Sequence, residues 1–220
     1  VTTFATMKTR IVDETLRDDL TATQLNNAIN QAISQWESER FVFNEKRYRI
    51  NTVASTEYYD MSGSTLLVHD GSAVGTGELI LELDDITCVV NSQPYRLIGR
   101  TQQWFNENQS SSYTGQPQSY TLYGNQLRLF PIPDAVYALY PSGLARLSPN
   151  PLSADGDTNA WLTEAEPLIR QHAKMVLYRD VVRDAEGGAL AVEGMKEAEH
   201  MLKRKMAAKA FIGTQRAWTL

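Results

Sequence analysis

Asp155, Asp157, Asn159 and Glu166 stand at positions 1, 3, 5 and 12 of the loop pattern that wraps a calcium ion in oxygen ligands, with Leu162 at its apolar position 8. Ala160 occupies position 6, where the sharp turn needs glycine, and Pro149 and Pro151 bar a helix from leading into the loop. A solvated turn with helix-capping side chains is the better reading, and no metal ligand is assigned. Gly71-Ser-Ala-Val-Gly75-Thr-Gly77 has the glycines of a phosphate loop without the lysine and hydroxyl residue that reach phosphate and metal, so it reads as a hairpin loop. His69, His172 and His200 are scattered, and the chain has neither a HExxH spacing nor a G-x-S-x-G nucleophile elbow. His172 lies beside Ile169 and Val176 on a helical stripe, which makes it a packed or interface residue and not an acid or base. Asp84-Asp85 reads as a turn or bulge between two strand-like runs, not a catalytic pair. No catalytic residue and no cofactor are assigned, and the chain is read as no enzyme.

Charge is the next chemical resource. The formal net charge is -5, which argues against general affinity for nucleic acid. Its distribution is uneven. No Asp or Glu follows Glu199, whereas Lys203, Arg204, Lys205, Lys209 and Arg216 do. Of 21 Lys and Arg, the 16 that remain before position 200 face 26 acids, a net of -10, so an acidic body carries a basic tail. Three readings of that tail stand: a solvated helix end, a DNA contact, and a docking surface for another protein. Phe211, Ile212, Trp218 and Leu220 interleave the charges and favour docking over DNA.

A chain of 220 residues can bury a sizeable core as one irregular domain or two small ones. Cys88 is the only cysteine and lies in the apolar run Ile86-Thr87-Cys88-Val89-Val90, so no intramolecular disulfide is possible and a buried thiol is expected. No apolar stretch approaches the roughly 20 residues of a membrane span, and Val1-Thr2-Thr3-Phe4 has no signal-peptide pattern. A protein assembled in a reducing cytosol, with no membrane partner, is the expectation.

The elements follow from periodicity. Met7, Ile11, Val12 and Leu16 predict a short helix over 7–17, broken at Asp18-Asp19. Thr21 and Gln24 form a capping box for a second helix striped by Leu25, Ile29, Ala32, Ile33 and Trp36, ending near 40–41. Residues 49–53, 57–61 and 79–90 are rich in β-branched and aromatic residues, with Gly63, Gly71, Gly75 and Gly77 between them. Residues 101–108 predict a short helix, and the Gln/Ser-rich run 108–119 an extended exposed loop. After a Pro-rich linker over 147–151, Thr163 and Glu166 suggest a second capping box for a helix striped by Ala165, Leu168, Ile169, Ala173, Val176, Leu177 and Val181 and stopped by Gly187-Gly188. A last helix over about 191–210 presents Met195, Ala198, Leu202 and Met206. The expected fold is α+β: a bundle of N- and C-terminal helices (1–45 and 158–212) with an antiparallel β-rich region inserted (46–150) and a tail over 213–220.

The most specific string is GQPQSYTLYGNQLRLFPIPD, residues 115–134. Residues 120–123 alternate as a strand, Gly124-Asn125 suits a tight turn, 126–130 alternate back, and Pro131 and Pro133 cannot donate to a ladder. Gly115, Pro117, Tyr120, Gly124, Pro131, Pro133 and Asp134, followed by Tyr137 and Leu139, resemble the hairpin signature of tailed-phage head-to-tail adaptor proteins. The early helices ending at Trp36, the Trp161-Leu162 pair before a long helix, and the closing helix extend the resemblance over most of the chain.

That resemblance implies a structural virion protein at the head-tail junction. It implies a ring, usually of about twelve copies, beneath the portal protein, continuing the channel for double-stranded DNA without sequence-specific binding and presenting a surface to a tail-tube or nozzle protein. It places Lys203, Arg204, Lys205, Lys209, Phe211, Arg216 and Trp218 toward the portal, and Tyr113, Gln116 and Gln118 toward the tail. A tail-tube or nozzle component and a protein- or carbohydrate-binding module are the alternatives.

Overall fold

The computed structural model describes residues 1–61, 66–68, 71–108 and 113–216, with side chains up to residue 210. Its contacts divide the chain into two units: Val1–Asn44 with Pro149–Leu220, and Glu45–Ser148. The fold is α+β, with helices at both ends and strands between. Gly63 and His69 lie outside the described residues.

The helical unit begins with α1 (Phe4–Thr15), capped by the Thr3 hydroxyl and ended by Leu16 in the left-handed region. It starts earlier than the periodicity suggests, because Thr3 supplies a side-chain acceptor that an apolar count ignores. Met7 and Ile11 are buried, whereas Leu16 points to solvent. In α2 (Ala22–Trp36), Thr21 and Gln24 form the capping box, and Leu25, Ala28, Ile29, Ala32 and Ile33 make the buried stripe. The helix stops at Trp36, four residues short of the expected end.

The second half of this unit departs from the expected capping. Asn159, not Thr163, caps α4 (Ala160–Glu164), accepting from the Trp161 and Leu162 amides. The Thr163 hydroxyl donates back to the Asn159 carbonyl, so no second capping box forms. Pro167 has no N–H to continue the turn, and the chain resets at Ala165 before α5 (Glu166–Leu177). Helix α5 passes into a π-helical turn (Tyr178–Val182) that closes on Arg183 at φ +58°. Gly187 and Gly188 do not stop a helix; they lie in the first turn of α6 (Ala185–Arg216). A Cβ at Gly187 would stand 2.6 Å from Asp184 Oδ2 and 2.8 Å from Tyr178 Cε1, so glycine here permits close approach of α6 to the turn.

In the strand unit, β1 (Glu45–Asn51), β3 (Leu67–Val68), β4 (Leu79–Val90), β5 (Gln93–Arg96) and β11 (Ala138–Arg146) form one sheet in the order β3-β1-β11-β4-β5. β2 (Tyr58–Asp60), β6 (Ile98–Gly99), β8 (Ser119–Tyr123) and β9 (Gln126–Phe130) form a second in the order β2-β9-β8-β6. Pairing is antiparallel except for two short parallel pairs, β6 with β8 and β7 (Thr114–Gly115) with β10 (Ile132–Pro133). Pro131 and Pro133 therefore end the hairpin ladder at Phe130, and the chain continues into the second of these pairs. The register between β4 and β11 shifts twice, leaving Asp84 and Leu81 as extra residues, so the Asp84-Asp85 step is a bulge within one long strand. Tyr48, Ile50, Ile86, Cys88 and Leu139 from the first sheet share one core with Tyr59, Leu127 and Leu129 from the second. Helix α3 (Gln102–Asn108) buries Phe105.

Candidate interaction surfaces

The calcium-like residues of the helical unit have separate duties. Asp157 accepts from the amides of Ser153 and Ala154, which hold its carboxyl below the usual carboxylate range. The Asp155 carboxylate pairs with Lys8 at 2.5 Å, and the carbonyls of Asp155 and Asp157 accept from the amides of Ala5 and Phe4. The turn thereby completes the N-terminus of α1. Glu166, nearly buried, pairs with Arg10 and Arg170, both at 3.1 Å, while Arg170 and Lys174 reach Glu14. Among the described residues no cluster of His, Cys, Asp or Glu could hold a metal ion.

His172 is buried and accepts a 2.8 Å hydrogen bond at Nδ1 from the Trp36 indole, which places its own proton on Nε2. Burial first, then the Arg179 charge, lowers its pKa. The rings meet edge to face and tie α2 to α5. Trp161 is buried edge-on against Phe41 and Phe43.

The basic helix end is partly consumed inside the unit. Lys205 and Lys209 both donate to Glu164 Oε2 at 2.8 Å, holding that carboxyl down at about 2. Lys203 pairs with Glu199 one turn earlier. Arg204 is exposed and has no ion-pair partner among the described residues. Phe211 and Arg216 fall within the span of α6, but their side chains, like all of Trp218, lie outside the described residues. Beside the Glu164 clamp runs a groove of about 790 Å³ between the α4–α5 junction and α6, lined by Ala165, Leu168, Gly194, Glu197, Ala198 and Met201 among others.

In the strand unit Tyr113, Gln116 and Gln118 are all exposed. Tyr113 stacks on Phe130, which also meets Trp104 and Phe105 edge-on. The backbone on either side is fixed: Thr114–Gly115 pairs with Ile132–Pro133, and the Gln118 amide donates to the Phe130 carbonyl. Pro117 is buried and its carbonyl accepts from the Tyr95 hydroxyl at 2.7 Å. Gly124 takes φ +59° at the hairpin turn, and Tyr120 pairs with Leu129. Asp134 accepts from the Tyr137 hydroxyl at 2.6 Å, which pushes that phenol up to about 12. The hairpin signature thus holds the exposed Tyr113, Gln116 and Gln118 from both sides, through the buried Pro117 between them. Residues 109–112 of the expected loop are outside the described residues.

The SU10 adaptor protein family model matches residues 2–217. The chain belongs to the SU10 adaptor protein family. No curated protein matches it. The chain is a phage adaptor, a structural component of the virion that interacts with other virion proteins. For this adaptor, side chains engaged in folding stand apart from those left open. Lys205 and Lys209 clamp Glu164 and Asp134 holds Tyr137, whereas Arg204 and Gln118 face outward and Gln116, though exposed, hydrogen-bonds Tyr95. The Glu164 clamp spans 41 and 45 residues, so no local pattern announces it; the one hint is the i,i+4 spacing of the two lysines. No helix among the described residues is long and apolar enough to cross a membrane.

Proposed function

We propose that this adaptor forms a closed ring of about twelve copies that joins the portal vertex of the capsid to the tail and continues the DNA channel. The observation that carries the reading is the family match over residues 2–217. A ring needs two different complementary faces on each subunit, because its contacts are heterologous. The helical unit is assigned to the portal through Arg204 of α6; Lys203, Lys205 and Lys209 drop to a supporting role because Glu199 and Glu164 already hold them. The strand unit is assigned to the tail through Tyr113, Gln116 and Gln118. No step of this role is catalytic. The net charge of -5 suits a channel wall, since carboxylates repel passing phosphates and keep the genome from adhering.

Mass photometry of purified portal protein with this chain tests the reading. Saturating addition should raise the particle mass by about 300 kDa, given 24.7 kDa per subunit. Arg204→Glu should weaken attachment at least about tenfold. A portal particle whose mass does not change at saturating adaptor concentration refutes it.

A further inference from the structure

The groove beside the Glu164 clamp has a chemical character that names its occupant. Its lining carries the small residues Ala165, Gly194 and Ala198 and the apolar side chains of Leu168, Met201 and Leu202, with the Gln171 side chain packed over Gly194. Met201 forms a wall yet is 58% exposed, and Leu190, one turn before Gly194, is 65% exposed. Three carboxylates line the groove, and they differ in state. Glu164 is held by Lys205 and Lys209, and Glu166 by Arg10 and Arg170. Glu197 is exposed and has no ion-pair partner among the described residues. The vacant chemistry is therefore an apolar slot with one open negative charge at its edge.

The same chain carries the complement. Trp218 stands two residues after Arg216, in a stretch without a single acid after Glu199. An indole for the slot and a guanidinium for Glu197 are the side chains that most often dominate binding energy at interfaces. Helix α6 runs to Arg216, so Ala198 in the groove lining lies about 27 Å back along its axis at 1.5 Å per residue. Two further residues span at most about 7 Å and an indole adds about 6 Å, which leaves roughly 14 Å between Ala198 and a Trp218 of the same subunit.

We propose that the groove between the α4–α5 junction and α6 receives the segment around Trp218 from a neighbouring copy of the chain, with Arg216 set against Glu197. This rests on the ring reading, which supplies the neighbour, and it deepens that reading by naming the two faces that meet. Arg216 and Trp218 thereby move from the portal contacts to the contact between subunits.

Cysteine cross-linking on assembled rings tests it. One chain carries Ala198→Cys and another Thr219→Cys, which leaves Trp218 in place; Cys88 is fully buried and stays silent, with the unsubstituted chain as control. The chains are mixed with portal protein, oxidised, imaged for rings and run on a denaturing gel. A covalent dimer from the mixture and from neither chain alone is expected, and one chain bearing both substitutions should give a ladder of multimers. Met201→Lys, at an exposed helix position, should keep the circular dichroism spectrum and raise the concentration needed for ring formation about tenfold. Rings without the cross-link, or a doubly substituted chain that closes on itself as a monomer, overturn the groove assignment and leave the adaptor reading standing. Absence of both rings and cross-links overturns the two together.

Discussion

Gly143 sits at a tight point of the five-stranded sheet, in β11. It faces Leu83 across the β4–β11 pair, immediately beside the bulge at Asp84. A methyl group added there would overlap the Glu82 backbone carbonyl oxygen and stand 3.1 Å from the Leu83 Cα. Ordinary carbon–carbon contact is about 3.5–4.0 Å, and neither opposing atom belongs to a side chain that can rotate away. Gly143→Ala must push the strands apart, at a cost of about 1 kcal/mol for each ladder hydrogen bond lost and the loosening of Ile80, Leu144 and Ala145, all buried. The expected loss is about 3 kcal/mol, or about 10 °C in melting temperature for a chain of this length. Thermal and urea unfolding followed by circular dichroism measure it. Gly156→Ala is the control: a Cβ there meets nothing within 4 Å, so it should stay within about 0.5 kcal/mol of the parent. A Gly143→Ala variant as stable as Gly156→Ala would refute the steric reasoning.

The Trp36–His172 pair gives the helical unit a pH dependence. Burial lowers the folded pKa of His172 below 6.5, so the unfolded chain binds the proton more readily. The pair's contribution is complete above pH 6.5 and is lost as pH falls through that value toward the lowered one; His172→Gln should flatten the difference between urea midpoints at pH 8 and pH 5. Glu164→Gln removes the acceptor of Lys205 and Lys209, and should cost about 0.5–1 kcal/mol, an effect that shrinks as salt is raised from 0.05 to about 1 M. Trp161→Ala empties the site against Phe41 and Phe43 and should cost about 3–5 kcal/mol in urea unfolding; a loss under about 1 kcal/mol would contradict the burial of its ring.

Local signals were legible in the chain where one physical cause acted alone. Thr21 and Gln24 had no rival for the start of α2, and Gly124-Asn125 had none for the hairpin turn. Thr163 and Glu166 matched the same capping pattern, yet Asn159 reached the amides first and Pro167 broke the helix between them. Gly187-Gly188 looked like a stop because a glycine needed for close approach to Tyr178 is indistinguishable in sequence from one needed for a left-handed cap. The same ambiguity hid the outcome at Leu16 and Arg183, ordinary side chains that adopt positive φ at helix ends. Of the basic tail, the excess of charge was visible, but its division was not: Lys205 and Lys209 find Glu164 only after α4 and α6 come together. The exposure of Tyr113, Gln116 and Gln118 was legible, whereas the burial of Pro117 and the anchoring by Tyr95 and by Ile132–Pro133 depended on tertiary contacts and strand pairing.

Electron microscopy of portal particles with and without this chain tests the central claim most directly. A collar of adaptor density on one face of the portal, coaxial with its channel and absent from the chain alone at the same concentration, is the expected result. Portal particles that remain bare at saturating adaptor concentration, while the added chain is folded by circular dichroism, would contradict it.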